Sequence, residues 1–438
     1  MSYFFRVFLL FSLVFLPVIS HAQGLITKRS TFYALVGTSG AKLNQFNEML
    51  NDRGLSPLRN RYRTLGLGYQ NRINDFVLGL ELFHNQGGRS EFDGYRMSYR
   101  TSRVLLNVGY SFTEESNFQL IHYMSLGMGF LNFQMLPMQS TSNLEDFLSN
   151  PEQGFILREN NIHRGSIKYG DFLTEIGFQL SYDFPIPGRK ESLEVIAKLG
   201  YAFSPFEGKW NLADMSFQNT QSGAFIRVGT GISIPDRNFF YKDASIALQL
   251  VSGFHFTKPD RLNEQLVEAG YDPLKGRPSN LGLKITGETE GVLYGVEVYN
   301  LAMDGSANAV KSQTLNSLRV YANGGMKFLQ YKNMALGALG GIGFGNIRYT
   351  LSQVDKPNFP ELFEQRQFDG YLKNSGLMAK PEVFLEYAYP VTKRKFFDLV
   401  FNVSLGYELA LANYRLGELD MAQYMTAPYL MFGVGVRP

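Results

Sequence analysis

The chain has 438 residues, and its 42 Lys and Arg nearly balance its 39 Asp and Glu. This balance excludes a dedicated nucleic-acid surface, which needs a basic excess, so no nucleic-acid partner is expected. The absence of cysteine excludes disulfides, thiolate metal sites and a lipid-modified N-terminal cysteine.

The first 22 residues have the pattern of a secretory signal peptide. Arg6 precedes an apolar run over residues 7–19, and Ser20-His21-Ala22 places small residues at the two positions that a signal peptidase reads. The run is short for a spanning helix. We therefore expect cleavage after Ala22 and export of residues 23–438. No later run of 18 apolar residues is present.

Long stretches of strict alternation follow. In FVLGLELF, residues 76–83, one face is Phe and three Leu, whereas the other is Val, Gly, Glu and Phe. Residues 103–111 and 226–234 alternate in the same way. A soluble sandwich also alternates, but its strands run to about 5–6 residues. These runs reach about 10 or more, which is the length that crosses a bilayer at a tilt.

The pattern predicts sixteen strands separated alternately by short turns and long loops. Such alternation is how outer-membrane barrels are built, and an even strand number places both termini on the short-turn, periplasmic side. The predicted strands are 31–41, 61–72, 75–86, 98–113, 118–134, 171–184, 192–205, 223–234, 245–256, 279–289, 291–302, 317–329, 334–350, 377–389, 397–411 and 428–437. The long loops between them include 87–97 and 303–316.

The two halves of the chain resemble each other. FNEMLNDRGLSPL (46–58) and LNEQLVEAGYDPL (262–274) share six of thirteen positions at an offset of 216. The same offset aligns Glu81 with Glu297 and Arg103 with Arg319. Later matches continue to the end of the chain, which indicates an internal repeat of eight strands. We divide the chain into a signal peptide (1–22), a first barrel repeat (23–235) and a second (236–438).

With its signal, strand number and loop alternation, the chain resembles the outer-membrane β-barrel proteins of Gram-negative bacteria, in a Bacteroidota-like version with an internally duplicated eight-stranded unit. The resemblance covers essentially the whole mature chain. It implies an all-β, transmembrane antiparallel β-barrel, integral to the bacterial outer membrane, with both termini periplasmic and outer-membrane lipid as its immediate partner. It implies no cofactor.

Two repeats of eight strands can close as one 16-stranded barrel or as two tandem 8-stranded barrels. A single barrel leaves no strand edge and needs no special linker. The junction, residues 235–244, is about ten residues long and could span roughly 33 Å, so it allows either arrangement. Glycine-rich inner faces suit a narrow interior. We expect one 16-stranded barrel, with two barrels as the alternative.

The repeated segment predicts a short amphipathic helix in the first long loop of each half. Phe46 and Leu50, like Leu262 and Leu266, are four apart and share a helical face. Asn44 and Asp260 are candidate N-caps, while Gly54 and Gly270 stand where a left-handed C-cap is expected. Each helix either packs on the rim and shields strand ends, forms a lid over the barrel mouth, or offers a face to a partner.

Charged residues on the inner strand faces are the candidate lumen residues. A charge inside a barrel must meet water or an opposite charge. In a wide barrel these residues would line a pore of mixed sign, and in a narrow one they would pair and plug it. They are Glu81, Arg103, Glu194, Lys198, Arg227, Lys284, Glu297, Arg319, Lys327, Glu386 and Glu408.

Catalytic and metal motifs are weak. The four histidines beyond the signal, His84, His122, His163 and His255, have no metal-ligand spacing, and no G-x-S-x-G motif occurs. We therefore expect neither an enzyme nor a metal site. Two functions remain: porin-like passage of small polar solutes, or a non-conducting structural or interaction protein whose extracellular loops bind partners. The oligomeric state is not encoded in any pattern of the sequence.

Overall fold

A computed structural model describes residues 28–113, 117–138, 143–159, 172–188, 191–204, 209–212, 215–218, 221–236, 244–357, 359–391 and 398–437. The predicted signal peptide lies outside these residues, and so does most of the junction between the repeats. Within the described part of the chain, no helix is long and apolar enough to cross a membrane.

Sixteen long strands overlap the sixteen predicted segments. Eight belong to the first half: β1 (Lys28–Gly40), β2 (Arg61–Ile73), β3 (Phe76–Phe92), β4 (Tyr95–Ser111), β5 (Phe118–Pro137), β7 (Phe172–Pro185), β8 (Ser192–Phe203) and β11 (Gly223–Asp236). Eight belong to the second: β12 (Ala244–His255), β13 (Ser279–Thr289), β14 (Val292–Ser306), β15 (Lys311–Tyr331), β16 (Met334–Gln353), β17 (Asp369–Pro390), β18 (Asp398–Ala410) and β21 (Ala427–Arg437).

Shorter elements lie in the long loops. The helices are α1 (Asn44–Asn51), α2 (Leu144–Ser149), α3 (Asp260–Glu268), α4 (Phe359–Glu364) and α5 (Ala422–Met425). Strand β6 (Phe155–Glu159) pairs with the outer end of β5. The described residues also form two small hairpins: β9 (Lys209–Leu212) with β10 (Met215–Gln218), and β19 (Arg415–Leu416) with β20 (Leu419–Asp420).

The strands close into two eight-stranded antiparallel barrels. In barrel 1, β1 pairs with β2 and β11, and in barrel 2, β12 pairs with β13 and β21. The expected single 16-stranded barrel is therefore wrong, and the alternative of two tandem barrels is confirmed. Eight strands enclose a space that side chains can fill. In barrel 1, aromatic rings that point inward pack directly on glycines. A Cβ on Gly68 would lie 2.2 Å from the Tyr33 ring, and one on Gly66 would lie 2.3 Å from Phe83, so a larger residue would clash at either position.

Two predicted long loops are instead hairpin extensions. Residues 87–97 continue β3 and β4 around a tight turn at Asp93-Gly94, where both residues have positive φ (49° and 77°). An Asp-Gly pair favours this turn because its twist matches that of the flanking strands. In the second half, β14 and β15 extend through most of 303–316. Both hairpins therefore extend the barrel wall on the long-loop side.

The outward faces of both barrels form an apolar belt. Leu65, Leu106 and Ile342 are each about 60% exposed or more, and most outward positions around them are also large and apolar. Aromatic side chains such as Tyr182 and Phe184 are exposed near the short-turn end, which is where barrels carry an aromatic girdle. A continuous apolar surface of this size is unfavourable in water and suits the hydrocarbon of a bilayer.

The repeated segment has the same structure in both halves. In each, the Asn side chain bonds both backbone groups of a Leu eleven residues later: Asn47 with Leu58, and Asn263 with Leu274, at 2.8–3.0 Å. Gly54 and Gly270 have φ of 70° and 79°, as expected for the left-handed residue that ends a helix. The N-cap expectation is wrong, because Asn44 and Asp260 are the first helical residues and Leu43 and Pro259 precede them as caps.

The two barrels touch through their outward faces near the short-turn end. Tyr69 and Ile234 of barrel 1 pack with Ile246 of barrel 2 in one buried apolar cluster. At the turns, Thr289 Oγ1 donates to Glu191 at 2.9 Å. The outer wall of barrel 2 therefore packs against β1, β2 and β11 of barrel 1.

Candidate functional site: two filled lumens beneath exchanged loops

The middle of lumen 1 is occupied by one carboxylate held between two arginines. Arg227 donates from Nη1 and Nη2 to the two oxygens of Glu175, both at 2.7 Å, and Arg103 Nη1 donates to Oε1 at 2.9 Å. The Arg227 guanidinium also lies 3.8 Å from the centre of the Phe83 ring. All three charged side chains are fully buried. The Glu175 carboxylate therefore binds two arginines that come from opposite sides of the barrel.

Closer to the short turns, a second group fills the same lumen. Lys198 Nζ lies 2.5 Å from Glu81 Oε1, which also accepts a hydrogen bond from Tyr33 at 2.7 Å. Glu194 accepts from Thr31 at 2.7 Å. The Lys198–Glu81 pair joins β8 to β3, which lie four strands apart and therefore on opposite sides of the eight-stranded barrel.

Lumen 2 is also filled by buried, paired charged side chains, although the residues differ from those of lumen 1. Lys380 lies 2.5 Å from Glu297 and 3.2 Å from Glu382, while Lys284 lies 2.6 Å from Glu382. Tyr429 donates to Glu382 at 2.7 Å. Two lysines and two glutamates therefore form one neutral cluster.

A second cluster in lumen 2 lies nearer the long loops. Glu408 pairs with Arg319 and accepts from the hydroxyls of Tyr299 and Tyr321, and His255 Nε2 lies 3.0 Å from its other oxygen. At the opposite, short-turn end, Glu288, Glu386 and Arg437 line a shallow opening of the barrel. Lys327 bridges the two glutamates of this opening at 2.6 and 2.8 Å.

The eleven lumen candidates named from the sequence all point inward. Their side chains are at most about 10% exposed, and most are completely buried. In a water-filled pore such side chains would be accessible to solvent. Their burial and pairing are what the narrow-barrel alternative expected of these charges.

Three central residues were missed from the sequence: Glu175, Lys380 and Glu382. Each occupies an inward position on β7 or β17. The parity of those strands could have revealed them, because Ile176 and Phe178 face outward next to Glu175, and Val383 and Leu385 face outward next to Glu382. The triad around Glu175 could not be inferred, because pairing across a lumen depends on barrel size.

The first-loop helices lie over the barrel mouths. In barrel 1, α1 places Phe46 against the inward rings of Phe133 and Tyr99, with ring centres 5.0 and 6.1 Å apart. In barrel 2, α3 buries Leu262 and Leu266 completely in the cluster that fills the mouth. Since both helices pack on inward-facing side chains, their placement is that of a lid.

Each mouth is also closed by a loop from the other barrel. Helix α2 belongs to barrel 1, yet Leu144, Phe147 and Leu148 are buried in the mouth cluster of barrel 2. Phe147 meets Tyr349 edge to face at 6.3 Å. Tyr271 donates to the Leu148 carbonyl at 3.0 Å. The loop between β5 and β7 therefore reaches across the molecule.

The corresponding loop of barrel 2 reaches back. Leu362 and Phe363 of α4 are buried in the mouth cluster of barrel 1, where Phe363 meets Phe155 edge to face at 5.3 Å. Arg366 follows the helix and pairs with Asp93, at the tip of the long β3–β4 hairpin, at 2.8 Å. We name this reciprocal arrangement the loop exchange.

The two exchanged loops bond to each other where they cross. Gly154 and Asp369 form an antiparallel bridge, with N–O distances of 2.9 and 2.7 Å. The Asp369 carboxylate accepts from the Ile156 amide at 2.6 Å and from Lys356 Nζ at 2.7 Å. Burial raises the pKa of Asp369 above its ordinary value of 3.8, although Lys356 opposes this shift. Nearby, Lys311 binds Glu152 at 2.8 Å, and this bond helps to raise the pKa of the lysine despite its partial burial.

Among the residues that the structure describes, no group of three or more His, Asp or Glu could hold a metal ion. The closed strands, the inward polar clusters and the outward apolar belt define a transmembrane antiparallel β-barrel protein with two barrels.

Comparison with known proteins adds only distant matches. No family model matches the chain, and no curated protein does. Among solved structures, the CymD monoaromatic hydrocarbon channel is 10% identical, with 97% of this chain and 92% of that chain covered and a TM-score of 0.23. The toluene transporter TodX of Pseudomonas putida is 12% identical, with 95% and 89% covered and a TM-score of 0.22. The translocator domain of the autotransporter NalP from Neisseria meningitidis is 8% identical, with 100% and 96% covered and a TM-score of 0.18.

Proposed function

We propose that the protein is a non-conducting outer-membrane protein whose working surface is the joint extracellular face of its two barrels. The observation that carries this proposal is the burial of the inward charges. In both lumens, Arg, Lys and Glu side chains are paired and inaccessible, and each mouth lies under a lid and an exchanged loop. An eight-stranded barrel is just wide enough for side chains to fill its interior.

The outer membrane is the proposed location, with both termini in the periplasm. The apolar belt, the aromatic side chains at the short-turn end and the predicted signal peptide support it. Lipid is then the immediate partner of the outer walls. A partner protein or glycan would meet the long hairpins and the exchanged loops. We propose no catalytic activity for the chain.

We further propose that the chain arose by duplication of an eight-stranded unit in a Bacteroidota-like bacterium. The matching Asn-to-Leu hydrogen bonds of the repeated segments support duplication, because the same side chain makes the same two bonds in each half. The exchange of the third long loop occurs in both directions, which is the pattern expected of two related halves.

Single-channel recording of the refolded mature protein in a planar bilayer tests the central proposal. Folding is verified first by a heat-dependent shift in gel mobility. We expect a silent bilayer under conditions in which the protein is folded and inserted. Steady conductance steps would refute the proposal and favour porin-like passage of small polar solutes. Neutralising Glu81 and Glu297 would then change ion selectivity.

A further inference from the structure

The exchanged loop of barrel 1 is anchored in both barrel mouths. We name its residues 144–157 strap 1. Phe147 lies in the mouth cluster of barrel 2, and Phe155, eight residues later, lies in the mouth cluster of barrel 1. Both rings are completely buried. Strap 1 therefore holds an apolar anchor in each mouth, with a short length of chain between them.

The exchanged loop of barrel 2 has the same property in the opposite direction. We name its residues 361–372 strap 2. Leu362 and Phe363 are buried in the mouth cluster of barrel 1, and Leu372, nine residues after Phe363, belongs to the mouth cluster of barrel 2. Each mouth therefore contains side chains from both straps.

The straps are bonded to each other between their anchors. Four backbone hydrogen bonds of 2.7–3.2 Å join residues 153–154 to residues 368–369. The next residue, Gly370, lies so close to strap 1 that a Cβ there would be 2.2 Å from the Pro151 carbonyl oxygen and 2.9 Å from the Phe147 ring. On the other side, the Asp369 carboxylate accepts from the Ile156 amide at 2.6 Å. The crossing therefore reaches the Phe147 anchor in one mouth and the neighbour of the Phe155 anchor in the other.

The first-loop helices differ from the straps because each contributes to one mouth. Phe46 of α1 is buried in the mouth cluster of barrel 1, and Leu262 of α3 is buried in that of barrel 2. Loss of either side chain leaves space in its own mouth. Loss of a strap anchor removes packing in one mouth and also loosens a segment that is bonded into the other.

We propose that the two straps couple the barrel mouths, so that opening one mouth along a strap promotes opening of the other. When α2 leaves the mouth of barrel 2, Phe147 moves away from Gly370 and the bonds of the crossing lose their support. Strap 2 is then held in the mouth of barrel 1 by fewer contacts, and the free energy needed to open that mouth falls. Two sites whose opening breaks the same bonds are energetically coupled, and the coupling acts in both directions. This device goes beyond the proposed function, because it concerns how the mouths move.

Thiol labelling of engineered cysteines measures the opening of each mouth, and the chain has no cysteine of its own. Met97→Cys reports on the mouth of barrel 1 and Met303→Cys on the mouth of barrel 2. Both methionine side chains belong to the respective clusters and are at most 4% exposed. The full mature chain is labelled in detergent, after its folding is verified by heat-dependent gel mobility. The labelling rate follows the population of the open state when opening and closing are fast.

Phe147→Ala is the strap variant, and Leu262→Ala is its matched control in the same mouth. Both should speed labelling of Met303→Cys, because each removes a buried side chain from the mouth of barrel 2. Only Phe147→Ala should also speed labelling of Met97→Cys in the other mouth, by about fivefold or more, as typical coupling between sites predicts.

The reverse direction uses the mouth of barrel 1. Phe363→Ala is the strap variant there, and Phe46→Ala is its matched control. Since coupling is reciprocal, Phe363→Ala should speed labelling of Met303→Cys by about fivefold or more, and Phe46→Ala should leave it unchanged.

Equal labelling of the remote mouth by a strap variant and its matched control would overturn the inference. Equal acceleration would show a general loosening of the protein, and no acceleration would show that the mouths open independently. If Phe147→Ala does not fold, Phe147→Leu with Leu262→Val as its control decides by the same comparison. Labelling in detergent does not depend on membrane location or conductance, so its outcome and that of the bilayer recording are separate.

Discussion

Replacement of Glu175 by Gln should destabilise barrel 1 strongly. The carboxylate accepts three charge-assisted hydrogen bonds, two from Arg227 at 2.7 Å and one from Arg103 at 2.9 Å, and no part of it reaches solvent. A neutral amide is nearly the same size, so packing is conserved. What is lost is the carboxylate charge that binds both buried guanidinium groups.

The expected cost follows from that geometry. Removing one partner of a buried ion pair costs about 3–5 kcal/mol, because the remaining charge is left uncompensated. This corresponds to roughly two to four orders of magnitude in the unfolding equilibrium constant. Such a loss is a large share of a typical stability of about 5–15 kcal/mol.

Urea unfolding in lipid vesicles, followed by heat-dependent gel mobility, measures the change. A triple variant, Glu175→Leu with Arg103→Met and Arg227→Met, is the matched control. It should regain most of the lost stability, because apolar groups of similar volume commonly replace a buried ion cluster at little cost. A cost below about 1 kcal/mol for Glu175→Gln would refute the reasoning, since it would mean that water already solvates the arginines.

Three further changes test the lids and the loop exchange. Because burial raises the pKa of Asp369, the native state binds this proton more tightly than the unfolded state. The stability of the loop crossing should therefore rise as pH falls from neutral through the raised pKa, and it should level off below pH 3.8. Hydrogen exchange at the Ile156 amide, corrected for intrinsic rates, should show this trend. The substitution Asp369→Asn should abolish it. When a protease site is inserted within residues 237–243 and the chain is cut there, the two halves should stay associated in mild detergent. Deleting α2 should let the cut halves separate. Separation without this deletion would contradict the loop exchange. Phe46→Ala should cost barrel 1 about 3–5 kcal/mol in urea unfolding, whereas the exposed Glu48→Ala should change it little.

The inward-facing residues could be predicted from the sequence, but their partners could not. Period-two alternation decides which residues face inward, because successive side chains of a strand point to opposite sides. Glu81 and Arg103 could be assigned to the lumen for this reason. Their partners could not, since Lys198 and Glu175 come from strands that are distant in sequence. Only the radius of the closed barrel decides which inward side chains meet.

Local turn signals predicted the ends of the first-loop helices correctly, but the signal for the β3–β4 hairpin was not used. Gly54 and Gly270 mark the ends of both lid helices, as their left-handed φ values show. The Asp93-Gly94 pair is an equally local hairpin signal. It was present in the sequence, and weighting it would have predicted the long β3–β4 hairpin in place of a loop.

The sequence by itself determined the strand number, the inward and outward faces, the short-turn and long-loop ends, and the repeated helix of the first long loop. All of these depend on patterns within about ten residues. Only the tertiary structure decided that β11 closes on β1 instead of passing to β12, and that α2 and α4 cross to the opposite barrel. One large barrel and two small ones make the same kind of backbone ladder. The choice between them depends on how rings, glycines and paired charges fill a lumen, and that filling is set by contacts among residues far apart in the chain.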